Sequence, residues 1–285
     1  MFRKILPIFL ILVLVQAACS LPIYLLPTVQ PHGPTVTDDI NVPLPADATQ
    51  TTTLSLKFGA GTLKLHSGSS ALVTGTATYN VSDFKPTVTL NGSSASIEQG
   101  NWRLSGIPNF SKIKNEWDLA LGNVPIALTI EAGAYQAEYE LGGLALTSLT
   151  IKDGAADAKL NFASPNLGEM SLLSYSTGAS NVSLTGLGNA NFTNLKIDSG
   201  AGNYTLEFSG QFKRNGSVHI GTGVSNLTLV IPSGIPTQVT VDGGLSNVTH
   251  DSTWSQNGKV YSQDGTGPQL TILVEIGAGN LTITH

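Results

Sequence analysis

The chain has a single cysteine among 285 residues, so no internal disulfide can staple it, whatever its redox compartment. Lysine and arginine together number only 14 against 19 acidic residues, a net charge of −5. That balance lacks the basic footprint that nucleic acid requires. Charged residues make up just 12% of the chain, so Ser, Thr and Asn must cover much of the solvent face. Methionine is almost missing, with two copies, and no segment shows the 3.6-residue apolar period of an amphipathic helix, which excludes helical bundles and helical solenoids. What is abundant is glycine, with 31 copies, as recurring tight turns need.

The first residues read as an export signal. Arg3 and Lys4 precede an apolar run from Ile5 to Val15, and Gln16-Ala17-Ala18-Cys19 follows. Cys19 after a small pair is the layout of a lipoprotein cleavage site, where the thiol takes the lipid. Two other outcomes fit the same residues: cleavage after Ala17 with free secretion, or retention of residues 5–26 as an uncleaved spanning helix. All three place the body outside the cytoplasm, because the positive start stays inside. Residues 1–19 are therefore expected to be signal or anchor. Residues 20–50 carry Pro22, Pro27, Pro31, Pro34, Pro43 and Pro45 and read as a semi-extended spacer.

Residues 51–285 are organised by a repeat. A glycine followed by a small or aliphatic residue recurs at Gly59, Gly133, Gly154, Gly178, Gly200, Gly223, Gly244 and Gly277. From Gly133 to Gly244 the spacings are 21, 24, 22, 23 and 21, whereas the first and last intervals are 74 and 33 and hold insertions at 66–127 and 251–270. Five and three residues before each glycine stand apolar pairs, such as Leu195 and Ile197, and four and six residues after it stand others, such as Tyr204 and Leu206. His250 is the one polar intruder in these columns. Each unit predicts two short period-two strands joined at a glycine turn, and such units bury their apolar face only by stacking. The expectation is all-β: a parallel β-solenoid of about eight coils of ~22 residues. Leu144 and Leu146, Phe162 and Leu167, Leu187 and Phe192, Phe208 and Phe212, and Ile231 and Ile235 should form its third side. The Asn91-Gly92 pair between alternating runs signals a hairpin, so the first insertion reads as antiparallel β-structure covering the first coils.

Three residues after the glycine stand Asn181, Asn203, Asn226, Asn247 and Asn280. At strand separation, equal amides can donate and accept along a column, so these five are expected to form a structural ladder. They also lie in Asn-x-Ser/Thr sequons, which the repeat generates as a by-product.

With those units in view, the sequence resembles the toast-rack family of bacterial envelope domains. The resemblance rests on Leu56-Lys57-Phe58-Gly59-Ala60-Gly61-Thr62-Leu63-Lys64-Leu65, on Trp117-Asp118-Leu119-Ala120-Leu121, and on the later Gly-Ala units, and spans residues 50–285. That family is similar to adhesin β-solenoids and to the extracytoplasmic domain of proteins that respond to cell-wall-active antibiotics. The resemblance implies a β-solenoid and an envelope location, and brings no catalytic residues.

Sites for chemistry are sparse. None of His32, His66, His219, His250 and His285 has a second ligand at metal-binding spacing, and there is no nucleophile-elbow pattern. Glu131, Asp198, Asp242 and Glu275 share one column, two residues before the glycine, but Lys152, Ser176 and Gly221 interrupt it, so no proton-sharing pair is expected. Trp102, Trp117, Trp254 and Tyr261 lie in or beside the insertions, where they either pack the caps or stack on a ligand. Thr205, Thr228, Thr249 and Thr282 form an outward row explained by β-propensity alone. The sequence therefore points to a non-catalytic, membrane-anchored extracytoplasmic solenoid that contacts cell-wall polysaccharide or an envelope protein through its insertions, without cofactor or metal. A carbohydrate-active enzyme on a β-helix is the runner-up.

Overall fold

The structure is a computed structural model, and it describes residues 33–100 and 112–285. Cys19, Trp102 and the start of the spacer lie outside the described residues.

Fifteen strands form one sheet: β1 (Val36–Val42), β2 (Thr52–Ser69), β3 (Val73–Tyr79), β4 (Pro86–Asn91), β5 (Ser94–Gln99), β6 (Asn115–Gly122), β7 (Pro125–Glu140), β8 (Ala145–Asn161), β9 (Met170–Thr185), β10 (Phe192–Glu207), β11 (Gly216–Val230), β12 (Thr237–His250), β13 (Ser255–Asn257), β14 (Val260–Gln263) and β15 (Leu270–Thr284). Eight of them, β2, β7 to β12 and β15, are the eight glycine units, paired in parallel and wound as a β-solenoid.

Each unit is one strand bent at its glycine, where two separate strands were expected. The reason is the approach of the neighbouring coil. A Cβ on Gly200 would lie 2.5 Å from the carbonyl oxygen of Gly178, and one on Gly223 would lie 2.5 Å from that of Gly200. Glycine thus lets the backbone fold inward over the coil beneath while pairing continues on both sides.

The apolar columns form the core. Leu195, Ile197, Tyr204 and Leu206 are all buried, as are their counterparts in neighbouring coils. On the third side Leu144, Leu146, Phe162, Leu187, Phe192, Phe208 and Ile231 are buried, with Phe212 and Ile235 packed against them. Leu167 departs from its expected role and is 60% exposed, since the loops of this side lack the strict period that fixes inward positions.

The coils do not stack in chain order. The sheet runs β10-β11-β15-β12, so the last coil is inserted between the sixth and the seventh. Ile231 N–H donates to the Thr284 carbonyl and Gly216 N–H to that of Gln269, which ties β15 directly to the sixth coil. The connection carries the hairpin β13–β14, which pairs antiparallel with Thr237–Thr240 of β12 and covers that end of the stack.

At the other end the first insertion is mixed. β3 is antiparallel to β1 and β6, and β4 to β5 through the hairpin at Asn91-Gly92, but β5 and β6 both run parallel to β2 and continue the coil pattern. The presumed spacer also contains structure: β1 pairs with β3 and buries Ile40 and Val42, because Val36–Val42 alternates in a way its proline-rich surroundings conceal. Thirteen strands in sequence along the stack give a rod of roughly 60 Å at ~4.8 Å per step.

Candidate binding surfaces

Three of the aromatic residues named as candidate ligand contacts, those among the described residues, are core residues. Trp117, Trp254 and Tyr261 are 0%, 4% and 5% exposed, so none offers a ring face to a ligand. Trp117 packs edge-on against Phe58 at 5.2 Å, Tyr261 covers His250 at 5.1 Å, and Trp254 stacks on His285 at 6.1 Å. Burial of these large rings seals both ends of the stack.

On the outer face beyond the bend, the asparagines bond down the rod. Asn203 Nδ2 donates to Asn181 Oδ1 at 2.8 Å, Asn226 to Asn203 at 3.0 Å, and Asn280 to Asn226 at 2.8 Å. Asn247 is in register with Asn280, at the end of the row, so the fourth and fifth positions are exchanged relative to chain order. Beside them Thr205, Thr228, Thr282 and Thr249 stand in register. The first coils present ion pairs in the equivalent position, as between Lys64 and Glu138 at 2.9 Å. On this face the rod thus carries ion pairs toward the N-terminus and uncharged Asn and Thr rows beyond it, while ion pairs such as Lys196–Asp198 and Lys259–Asp242 stand elsewhere on the later coils.

Beneath the bend lies a polar seam that the apolar columns do not reveal. Asp153 Oδ2 accepts from Tyr175 at 2.8 Å and Tyr135 at 3.3 Å, and Tyr139 donates to the Tyr135 hydroxyl at 3.0 Å. Burial pushes all three phenols well above their ordinary value. Asp153 Oδ1 is buried without a hydrogen-bond partner. Further along, the hydroxyls of Thr177 and Ser180 pair, as do those of Thr222 and Ser225. The signal was present in the repeat, since the residue one before the glycine is Asp153, Thr177, Ser199 and Thr222 in the middle coils, and Ser180 and Ser225 stand two after it in two of them. Four asparagines on the third side serve the backbone. Asn166, fully buried, exchanges hydrogen bonds with both backbone groups of Leu146, while Asn189, Asn191 and Asn215 bond to loop backbone of adjacent coils.

The carboxylate column contains one adjacent pair, contrary to the expectation that none is prearranged. Asp242 and Glu275 are in register on neighbouring strands. Each has its own partner: Lys259 donates to Asp242 at 3.0 Å and His219 Nε2 contacts Glu275 at 2.7 Å. The Lys259 hydrogen bond holds the Asp242 carboxyl below its usual range, which keeps it ionised and unsuited to donate a proton. His66 pairs with Asp118 at 3.2 Å. Among the described residues no three His, Cys, Asp or Glu side chains converge as a metal site, and no helix is long and apolar enough to cross a membrane.

Several clefts indent the surface of the described residues. One of about 590 Å³ lies over the first bend between Lys57, Glu98 and Glu131, with Phe58 and Phe84 in its floor; Lys57 spans it to Glu98 at 2.9 Å. Two others, of about 370 and 540 Å³, lie toward the other end of the rod and share Gln269.

A search of curated proteins by sequence finds no match. Among solved structures, a candidate cell adhesion protein from Clostridium sporogenes is similar at 18% identity over 88% of this chain and 99% of its own, with a TM-score of 0.46. A candidate adhesin from Bacteroides fragilis is similar at 13% identity over 90% and 99%, with a TM-score of 0.43. A candidate lipid binding protein from Parabacteroides distasonis is similar at 10% identity over 89% and 99%, with a TM-score of 0.40. The family model for the N-terminal domain of toast-rack proteins matches residues 31–172 and 165–230, most of the solenoid including β1. The chain belongs to the toast-rack family.

Proposed function

We propose that the protein is a non-catalytic interaction module of the cell envelope, an adhesin-like rod held outside the cytoplasm by its N-terminus. The observation that carries this reading is the change along the face beyond the bend, from ion pairs to uncharged Asn and Thr rows. The chain enters at the β1 end, where Gly33 N–H donates to the Asn80 carbonyl, and the uncharged Asn and Thr rows lie on the coils toward the opposite end. A tether at one end and uncharged polar rows toward the other suit a module that reaches away from a membrane. The export signal at residues 1–19 supports the location, with Cys19 as the lipid-attachment residue. The enzymatic alternative has one observation in its favour, the Asp242–Glu275 pair, whose strand-to-strand separation of ~4.8 Å is near that of the paired carboxylates in retaining glycosidases. Asp242 is already engaged by Lys259 and Glu275 by His219, which weighs against it.

Labelling with radioactive palmitate in the wild type and in Cys19→Ser tests the anchor: label should enter only the wild type, and equal labelling removes the lipid claim. Incubation with purified peptidoglycan and with common polysaccharides tests the module. Retention without new reducing ends is expected, and released sugars would instead assign an enzyme.

A further inference from the structure

On the first face of the rod, six residues from six different strands fall in one cross-strand line. Asn194 of β10 is in register with Ser217 of β11, Ser217 with Thr271 of β15, Thr271 with Gln238 of β12, Gln238 with Ser262 of β14, and Ser262 with Ser255 of β13. Five steps of ~4.8 Å make this row roughly 24 Å long, parallel to the rod axis. No member is charged, and five are exposed, with Ser262 half-buried.

The row is concave where it runs beneath the loop that leads into β15. The clefts of about 370 and 540 Å³ meet at Gln269 in that loop, which is positioned by a hydrogen bond from its N–H to Asn215 Oδ1 at 2.9 Å and by its carbonyl, which accepts from Gly216. Along the row, among the described residues, only the Asn194 amide has a side-chain hydrogen bond, to the Ser171 carbonyl at 3.2 Å. The side chains of Ser217, Thr271, Gln238, Ser262 and Gln269 are uncommitted. This separates them from the asparagine ladder on the other face, whose amides largely satisfy one another. Uncommitted amides and hydroxyls in a concave strip keep both donors and acceptors available to a ligand.

We propose that this strip is the binding groove of the module and that its ligand is an uncharged, extended oligosaccharide lying along the rod axis. The proposal rests on the interaction-module reading and adds to it a surface and a ligand class. The lining selects against charged polymers, because the row itself supplies no charge to pair with and Asp264, at its edge, repels anions. A polyhydroxylated chain can exchange hydrogen bonds at every step, with bridging water where the fit is loose. The insertion of β15 creates the strip, since it sets Thr271 between Ser217 and Gln238 and brings Gln269 over the row.

The test uses the full chain and a panel of neutral insoluble glucans, xylans and chitin alongside anionic pectin, with retention measured against protein concentration. The neutral polymers alone should retain the wild type, and a Gln238→Ala/Gln269→Ala/Thr271→Ala variant should bind the retaining polymer at least about tenfold more weakly, as loss of several modest hydrogen bonds implies. Ser217→Asp should weaken it similarly while leaving the unfolding midpoint unchanged, which guards against a folding artefact. A Thr205→Ala/Thr228→Ala variant on the other face should bind as the wild type does. Equal retention of the triple variant would overturn the groove while leaving the interaction module standing. Retention only on pectin, or on no member of the panel, would overturn the neutral-ligand claim. Release of reducing ends would overturn the module reading itself.

Discussion

His250 and Ile283 occupy the same position of the repeat and stand in register on neighbouring strands, one at the end of the coil stack and the other inside it. Ile283 is fully buried, whereas His250 is half-buried beneath the Tyr261 ring, and its Nδ1 contacts the Asp251 carbonyl. The polar residue is tolerated because its coil is terminal, where only one neighbouring coil covers it. Placing the seventh coil inside the stack would bury that imidazole between two apolar layers.

The two positions should therefore respond oppositely to exchange. Ile283→His is expected to cost about 3 kcal/mol, combining a lost apolar side chain with a buried imidazole. His250→Ile should lie within about 1 kcal/mol of the wild type or stabilise it. Urea denaturation midpoints for the two variants check this.

Much of the fold was legible because the inward columns at fixed offsets from the glycine recur without slippage, as with Leu195, Ile197, Tyr204 and Leu206. The coil exchange was not legible by the same means, because the seventh and eighth units carry nearly equivalent columns and either could sit inside. Only His250 distinguished them. Trp117 and Trp254 were ambiguous because sequence places a ring near a cap without saying which way it points. The neutral strip could not be read at all: Ser262 and Ser255 belong to a hairpin outside the repeat, and their alignment with Gln238 exists only in three dimensions.

The asparagine ladder makes a second prediction. Asn203 both donates to Asn181 and accepts from Asn226, so Asn203→Ala breaks two exposed amide contacts. The expected cost is about 1 kcal/mol, or roughly 2–4 °C in Tm by calorimetry. Asn203→Asp keeps an acceptor for Asn226 but sets two acceptor oxygens against Asn181, and should cost more than the alanine variant above pH 5.

Gly202 and Gly68 share a left-handed φ, +142° and +116°, but differ in what surrounds them. A Cβ at Gly202 would meet the Ser180 carbonyl at 1.8 Å, while one at Gly68 meets nothing within 4 Å. Gly68→Ala should therefore cost only its backbone strain, about 1–2 kcal/mol. Gly202→Ala adds a clash with the neighbouring coil and should cost about 3 kcal/mol or more. Comparable midpoints for the two variants would contradict the close stacking of the coils.

The tyrosine cluster predicts an alkaline limit. The folded values of Tyr135, Tyr139 and Tyr175 lie above the ordinary phenol value of 10, chiefly through burial. Above that pH the unfolded chain releases phenolic protons that the folded chain keeps, so stability is intact below pH 10 and falls as pH rises past it. Each such tyrosine contributes a slope of about 1.4 kcal/mol per pH unit. Tyr139→Phe should reduce the slope between pH 10 and 11 by about that amount in urea titrations, and an unchanged slope would place its hydroxyl in solvent.

The order of the last coils is tested most directly by disulfide formation in a Cys19→Ser background. Thr228 and Thr282 are in register on adjacent strands, and Thr282 is in register with Thr249 on the next strand beyond. Adjacent parallel strands place paired Cα atoms at ~4.8 Å, within bridging range, whereas two strands apart they are separated by roughly 9–10 Å, beyond it. Thr228→Cys/Thr282→Cys should oxidise to an intramolecular disulfide in the native protein, and Thr228→Cys/Thr249→Cys should remain reduced. The reverse pattern would show the coils stacked in chain order and remove the inserted strand on which the neutral groove depends.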